Sequence, residues 1–530
     1  MILFYAFLSY SIFIKYNSTN IQCTQCCPCN FSIALTHIKE NTKIFICDSK
    51  IQQKKHLIDF CSFMENINNM QFNKIAIIGC STEVDGSLFP SSFFSFTSIL
   101  SHRIDFSNFI FHNFQHPILY YRNSVNSTLT NITFESNRLT DQISVLAATS
   151  SSLTFSNVTF RDSLQYRSSF LCFTSSNINI EKCRFKNISM PTVTDSYLIL
   201  SIESQVKIEQ TNLTDIKFIN SGLFLSSSSS FLLMKKNFIE KNFFNEMIAV
   251  TLNSMVRVES CEISENQGAV LVAHKGTSVS FVNSIFKGNV ATSSELFVVK
   301  KSKISINYDC QFTNNVVHSI LLLKGNGGFA NISYSDFISN VALSSFLTVK
   351  SQSKLTMKKC LFRSNISPYQ LLEVDNQASA IVAEISFNDI HTRALSVTQF
   401  SSLNCSDIEF NGRPFIDESL ISVKKSSCLT VDSSQFNIQS LKRALISSKI
   451  SSVTNVQNSF FDGSIESTFN MSYNCVNCTF RRPNEVKSKP VFRVSYFKAF
   501  YVLMILFAIF EAGMLTLTCS ITFKNLNFEW

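Results

Sequence analysis

Charge is scarce in this chain: only 16% of its 530 residues are Asp, Glu, Lys or Arg. Carbohydrate lyases and hydrolases need acidic pairs or clustered Asp, Arg and Lys, and so thin a supply offers few. The familiar catalytic strings are missing as well. There is no glycine-rich phosphate loop, no H-E-x-x-H and no G-x-S-x-G. His274, His318 and His391 fall at unrelated points of the pattern set out below, and Asp336, Asp389 and Asp407 share no position in it. No catalytic, cofactor-binding or metal-binding residue is therefore expected. The 3.6-residue apolar period of an amphipathic helix is lacking too, and the alternation that replaces it has period two.

What is abundant is phenylalanine, with 52 residues, and it keeps time. The marker positions are Phe111, Phe134, Phe160, Phe185, Leu213, Phe238, Ile263, Phe286, Phe312, Phe337, Phe362, Phe387, Phe410, Phe436 and Phe461, in steps of 23 to 28 residues. A fixed period in this range signals one supersecondary unit stacked on copies of itself. Two residues before the marker stands a small or apolar residue, such as Cys183, Cys261, Ser284, Cys310, Ser335 or Cys360. Alternate residues of a strand share a face, so this position and the marker point inward together. A second apolar run follows about ten residues on, as in Leu296–Val299, Ile320–Leu323, Phe346–Val349 and Leu371–Val374. Ser, Asn, Gly and Lys separate these short runs and mark turns.

Asparagine recurs three residues after the marker, as Asn137, Asn266, Asn289, Asn315, Asn340 and Asn365. It tolerates the left-handed conformation. If units stack in register, the amides of Asn266, Asn289, Asn315, Asn340 and Asn365 form a ladder along the axis. The L-x-x-L-x-L-x-x-N signature of a leucine-rich repeat is not found in register, and ankyrin, TPR and HEAT units are longer and helical. The spacing predicts an all-β chain: a parallel β-helix solenoid of about 15 coils over residues 89–482, roughly 70 Å long at one strand spacing per coil.

The ends differ from the middle. Met1–Ile14 is one apolar run, so residues 1–18 are expected to be a secretory signal peptide. Residues 19–88 are expected to cap the first coil, with disulfides among Cys23, Cys26, Cys27, Cys29, Cys47, Cys61 and Cys80. After a juxtamembrane segment, 483–498, the 25 residues 499–523 are apolar enough for one transmembrane helix, with Glu511 near its middle. Residues 524–530 form the tail. Basic residues before the helix (Lys487, Lys489, Arg493, Lys498) outnumber Lys524 after it and favour the reverse topology. A long domain behind a signal translocates largely regardless of flanking charge. The predicted location is therefore the plasma membrane, with the rod outside. Sequons at Asn126, Asn131, Asn157, Asn187, Asn212, Asn331, Asn365, Asn404, Asn470 and Asn477 agree with that side and are the expected glycosylation sites. The net charge of +9 is spread along the rod as Lys235-Lys236, Lys300-Lys301, Lys358-Lys359 and Lys424-Lys425. These read as solvated turns with a weak attraction for acidic glycans, and no nucleic-acid partner is expected.

The Phe-x-x-Asn strings at Phe134–Asn137, Phe286–Asn289, Phe312–Asn315, Phe337–Asn340 and Phe362–Asn365 resemble those of chlamydial polymorphic outer-membrane proteins. They look still more like the related trichomonad surface proteins with one C-terminal transmembrane helix. The companion Gly-Gly-Ala-Ile motif is nearly absent, and no C-terminal barrel follows. The resemblance implies a right-handed β-helix of the pectin-lyase-like type, serving as an adhesin or surface antigen that binds host cells, matrix or glycans. A carbohydrate-active enzyme on the same scaffold and a structural coat protein are the alternatives.

Overall fold

In a computed structural model of the protein, the described residues are 11–14, 30–38, 42–46, 50–51, 66, 74–88, 94–97 and, with short interruptions, 103–481. The chain divides into two compact units, Met1–Arg482 and Pro483–Trp530. The expected transmembrane segment, Glu511 and the tail lie outside the described residues. Among the described residues no helix is long and apolar enough to cross a membrane.

The first unit is an all-β parallel solenoid of about 14 turns, close to the expected number. One turn shows how it is made. Phe297–Lys300 lies in the first sheet, Lys303–Asn307 in the second and Cys310–Thr313 in the third. The two-residue strand Val316–Val317 leads on to Leu321–Lys324, which pairs parallel with Phe297–Lys300 one rung earlier. Burial alternates along Lys303–Asn307, where the interior takes every second side chain, whereas Phe297, Val298 and Val299 of the first sheet are all buried.

Corners separate the strands, and many hold a residue with positive φ. These residues are mostly Asn, Ser, Lys, Asp and Glu rather than glycine, for example Asn157, Lys182, Ser260 and Lys359. The left-handed conformation costs a non-glycine residue about 1–2 kcal/mol. Corner amides stay within the inter-rung hydrogen-bond ladder, which offsets that cost: Asn157 N donates to Glu181 O at 3.1 Å, and Lys182 N to Glu209 O at 3.0 Å.

Phenylalanines fill the centre as a stacked column. Ring centroids lie 4.9 Å apart for Phe134–Phe160 and 4.8 Å for Phe160–Phe185. Further along they lie 4.6 Å apart for Phe286–Phe312 and Phe337–Phe362, and 4.7 Å for Phe312–Phe337. Leu213, Ile239 and Ile263 form an aliphatic interval between the two stacks. One marker is corrected here. Ile239, not Phe238, pairs with Leu213 and Ile263 and is fully buried, whereas Phe238 sits on the outer face. The strand register also runs past the expected limits, to Val84 ahead of Phe111 and, in the backbone pairing, to Phe480 after Phe461.

Strand pairing likewise extends ahead of residue 89. Ser11–Ile14, inside the expected leader, pairs with Thr42–Ile46, and that strand pairs with Lys74–Asp85. Of the seven N-terminal cysteines only Cys80 is among the described residues with a side chain, and its thiol is free and exposed. The expected disulfides of the other six lie outside the described residues.

Candidate functional site

The asparagine ladder is the most complete polar structure of the interior. Asn266, Asn289, Asn315, Asn340 and Asn365 are all fully buried. The side-chain nitrogen of Asn289 donates to Asn315 Oδ1 at 3.0 Å and to Ile263 O at 2.8 Å, and Asn315 repeats this with Asn340 Oδ1 at 2.8 Å and Phe286 O at 2.9 Å. Each Oδ1 also accepts the backbone N–H of the preceding asparagine, as from Asn289 N to Asn315 at 3.0 Å. Asn242 is a further member, bonding Asn266 Oδ1 through both its nitrogens at 3.0 Å. A parallel serine ladder links Ser151, Ser176, Ser204, Ser230 and Ser254 at 3.0–3.2 Å, each Oγ accepting the backbone N–H one rung before.

These ladders fix which sequons face water. Asn126, Asn131, Asn157, Asn187, Asn212, Asn404 and Asn477 are exposed, and Asn331 is half-buried. Asn365 is different: it is buried, and its side-chain nitrogen donates to Phe337 O at 2.7 Å. A glycan on that nitrogen would displace the last described rung of the ladder, so Asn365 belongs to the scaffold and not to the glycosylated surface. The Asn470 side chain is outside the described residues.

The inward cysteines behave as buried hydrophobes. Burial pushes the thiols of Cys183 and Cys360 up to about 12 and those of Cys261 and Cys310 up to about 11. All four are free.

On the outer faces, charged neighbours on successive rungs usually have opposite signs. Arg161 meets Glu135, Lys358 meets Glu384 at 3.0 Å, Lys350 meets Glu373 at 3.3 Å and Lys241 meets Glu265 at 3.9 Å. Like charges also meet in register, as in Arg161–Lys186 and Glu181–Glu209, but only over two rungs, whereas one column carries basic side chains on four successive rungs. On the first sheet His274 is paired in register with Lys300, Lys300 with Lys324, and Lys324 with Lys350. Corner residues Lys275 and Lys301 flank it. On the second sheet Lys303, Phe329 and Lys354 form the adjoining outward row. Burial, then the ammonium groups of Lys300, Lys275 and Lys324, hold the His274 imidazole below its ordinary value. Among the described residues, Lys350 alone of this group has an ion-pair partner.

A second feature lies at the corner between the second and third sheets. Tyr308 and Tyr334 are 64% and 47% exposed, with parallel rings 6.4 Å apart, and Lys359 Nζ sits 5.1 Å from the Tyr334 ring centre. Beside them, burial and then the Asp309 carboxylate raise the pKa of Asp336. Asp389 and Asp407 occupy separate corners, and His318 is exposed at another; His391 lies outside the described residues. Among the described residues no group of His, Cys, Asp and Glu could hold a metal ion.

No family model matches the chain, and no curated protein matches it. The resemblance to trichomonad surface proteins therefore rests on the Phe-x-x-Asn strings alone. Among solved structures the chain is similar to the Streptococcus pneumoniae surface protein and adhesin PfbA. The two are 9% identical with a TM-score of 0.28, over 82% of this chain and 98% of that one. It is similar as well to tailspike protein 3 of bacteriophage CBA120 (9% identity, 82% and 61% coverage, TM-score 0.22). The catalytic domain of a GH87 α-1,3-glucanase in complex with nigerose is a third (10%, 83% and 68%, TM-score 0.26). Likeness of this extent assigns no function.

Proposed function

We propose that the chain is a membrane-anchored, glycosylated surface protein that recognises its ligand along the flat sides of the solenoid, as an adhesin or surface antigen does. The observation that carries the reading is the in-register basic column His274–Lys300–Lys324–Lys350 on the first sheet. A solenoid repeats a side chain at each rung, so many weak contacts add along its length without a deep pocket. The exposed sequons and the apolar segment 499–523 support display at a cell surface. Expressed at full length in a eukaryotic cell, the chain is expected to be labelled on intact cells, to lose mass on removal of N-glycans, and to promote adhesion of the expressing cell. Absence of surface label contradicts the anchored display, and surface label without gain of adhesion contradicts the adhesin role.

The corner of Tyr308, Tyr334, Asp309 and Asp336 favours a second reading, carbohydrate cleavage. There, polysaccharide turnover by the purified chain would be abolished by Asp336→Asn.

A further inference from the structure

We infer that the first sheet carries an elongated site for a linear acidic polysaccharide, lying parallel to the solenoid axis over the rungs of His274, Lys300, Lys324 and Lys350. The inference rests on the recognition reading above and names its ligand class. Three observations carry it.

The first is energetic. Residues paired directly across parallel strands sit about 4.8 Å apart. Like charges there are unfavourable. A chain with only 16% charged residues has ample freedom to avoid that, and other like-charge pairs in register, such as Arg161–Lys186 and Glu181–Glu209, do not continue to a third rung. Lys300 and Lys324 keep an arrangement that self-repels until an anion arrives, while Lys350 beyond them already meets Glu373. The far end of the column meets Asp375, paired with Lys350, which closes the stripe.

The second is shape. The column is one residue wide on its sheet and about 14 Å long over three steps. Beside it runs the second row, Lys303, Phe329 and Lys354, in which the partly exposed phenylalanine is paired in register between two lysines. Cationic groups spaced along a line, with an apolar ring beside them, match a chain whose carboxylate or sulfate groups recur between apolar sugar faces. An anionic bilayer is a plane, and a narrow stripe meets it poorly.

The third is access. Between Asn212 and Asn404 the sequons are Asn331 and the buried Asn365. Asn331 belongs to the second sheet, so N-glycans leave the first-sheet column open.

The test uses the detergent-solubilised full chain against heparin, polygalacturonate, neutral dextran and phosphatidylserine vesicles. Binding to one or both acidic polymers is expected, weakening steeply with added salt, with none to dextran. Lys300→Glu with Lys324→Glu is expected to weaken it at least about tenfold, which is about 1.4 kcal/mol. Lys217→Glu with Lys287→Glu makes the same charge change away from the column and is expected to change it less than about twofold, a ratio judged against ordinary variation. Equal losses in the two variants would show a diffuse field rather than a site and overturn the inference. So would binding to the vesicles but to neither polymer, or to nothing at all. The two readings fail separately. A chain that never reaches the cell surface can still bind heparin in solution, and a surface-displayed chain whose adhesion heparin does not compete retains recognition but loses this ligand.

Discussion

At the scale of single residues, burial decides chemistry. The four inward cysteines share a column with Ser284 and Ser335, so the position asks for a small side chain rather than for a thiol. Their raised pKa values make stability depend on alkaline pH. Below about 9 the folded and unfolded chains both keep the proton. Above it the unfolded chain releases protons that the folded chain, with thiols at about 11 to 12, still holds. Unfolding free energy is therefore expected to fall as pH rises from about 9 toward 11, by up to about 1.4 kcal/mol per pH unit for each thiol. Denaturant titrations at a series of pH values check this, and replacing Cys183, Cys261, Cys310 and Cys360 with serine should flatten the slope. A slope unchanged by the substitutions would assign the alkaline loss to other groups. The same scale explains one slip of the sequence reading. Phe238 and Ile239 are adjacent and both apolar, and a period of about 25 residues cannot say which of two neighbours points inward. With Ile239 inside, the rule of three residues after the marker lands on Asn242 and finds the ladder member that Phe238 conceals.

At the scale of the corner and its ladder, polar satisfaction sets the energy. Asn315 supplies the acceptor for Asn289 N and for the Asn289 side-chain nitrogen, and the donor for Phe286 O. Asn315→Ala removes the partner of the buried Asn289 N and Phe286 O and leaves the Asn289 side-chain nitrogen with Ile263 O alone. At about 1–3 kcal/mol for each, the expected loss is about 4 kcal/mol, read from chemical denaturation of the full chain. Asn365→Ala removes the same kinds of partner, for Asn340 N, the Asn340 side-chain nitrogen and Phe337 O, and is expected to cost about as much; a negligible loss at either position would show that the ladder does not act through its neighbours. The asparagine ladder was legible because asparagine recurs three residues after the marker in five successive units. The serine ladder was not, since serine occupies exposed corners and buried rungs alike. The basic column was hidden for another reason. Its members are separated by unequal steps, and in the sequence each lysine reads as part of a local pair such as Lys300-Lys301. Only strand pairing places them one above another.

At the scale of the whole described solenoid, the period itself carries the account: one inward aromatic or aliphatic residue per rung, and every outer column parallel to the axis. Spin labels test this directly. Lys207, Ser305, Thr356 and Asn404 lie in one outward column, linked rung by rung through Leu233, Arg257, Ser280, Asn331 and Ile381. With Cys80→Ser removing the exposed described thiol, nitroxides are placed on cysteines substituted at Lys207 and at one of the other three. Pulsed dipolar measurements should give backbone separations of about 19, 29 and 38 Å for Ser305, Thr356 and Asn404, after four, six and eight rungs at the strand spacing. A separation that fails to grow in proportion to the number of rungs would contradict the in-register solenoid, and with it every face assigned here.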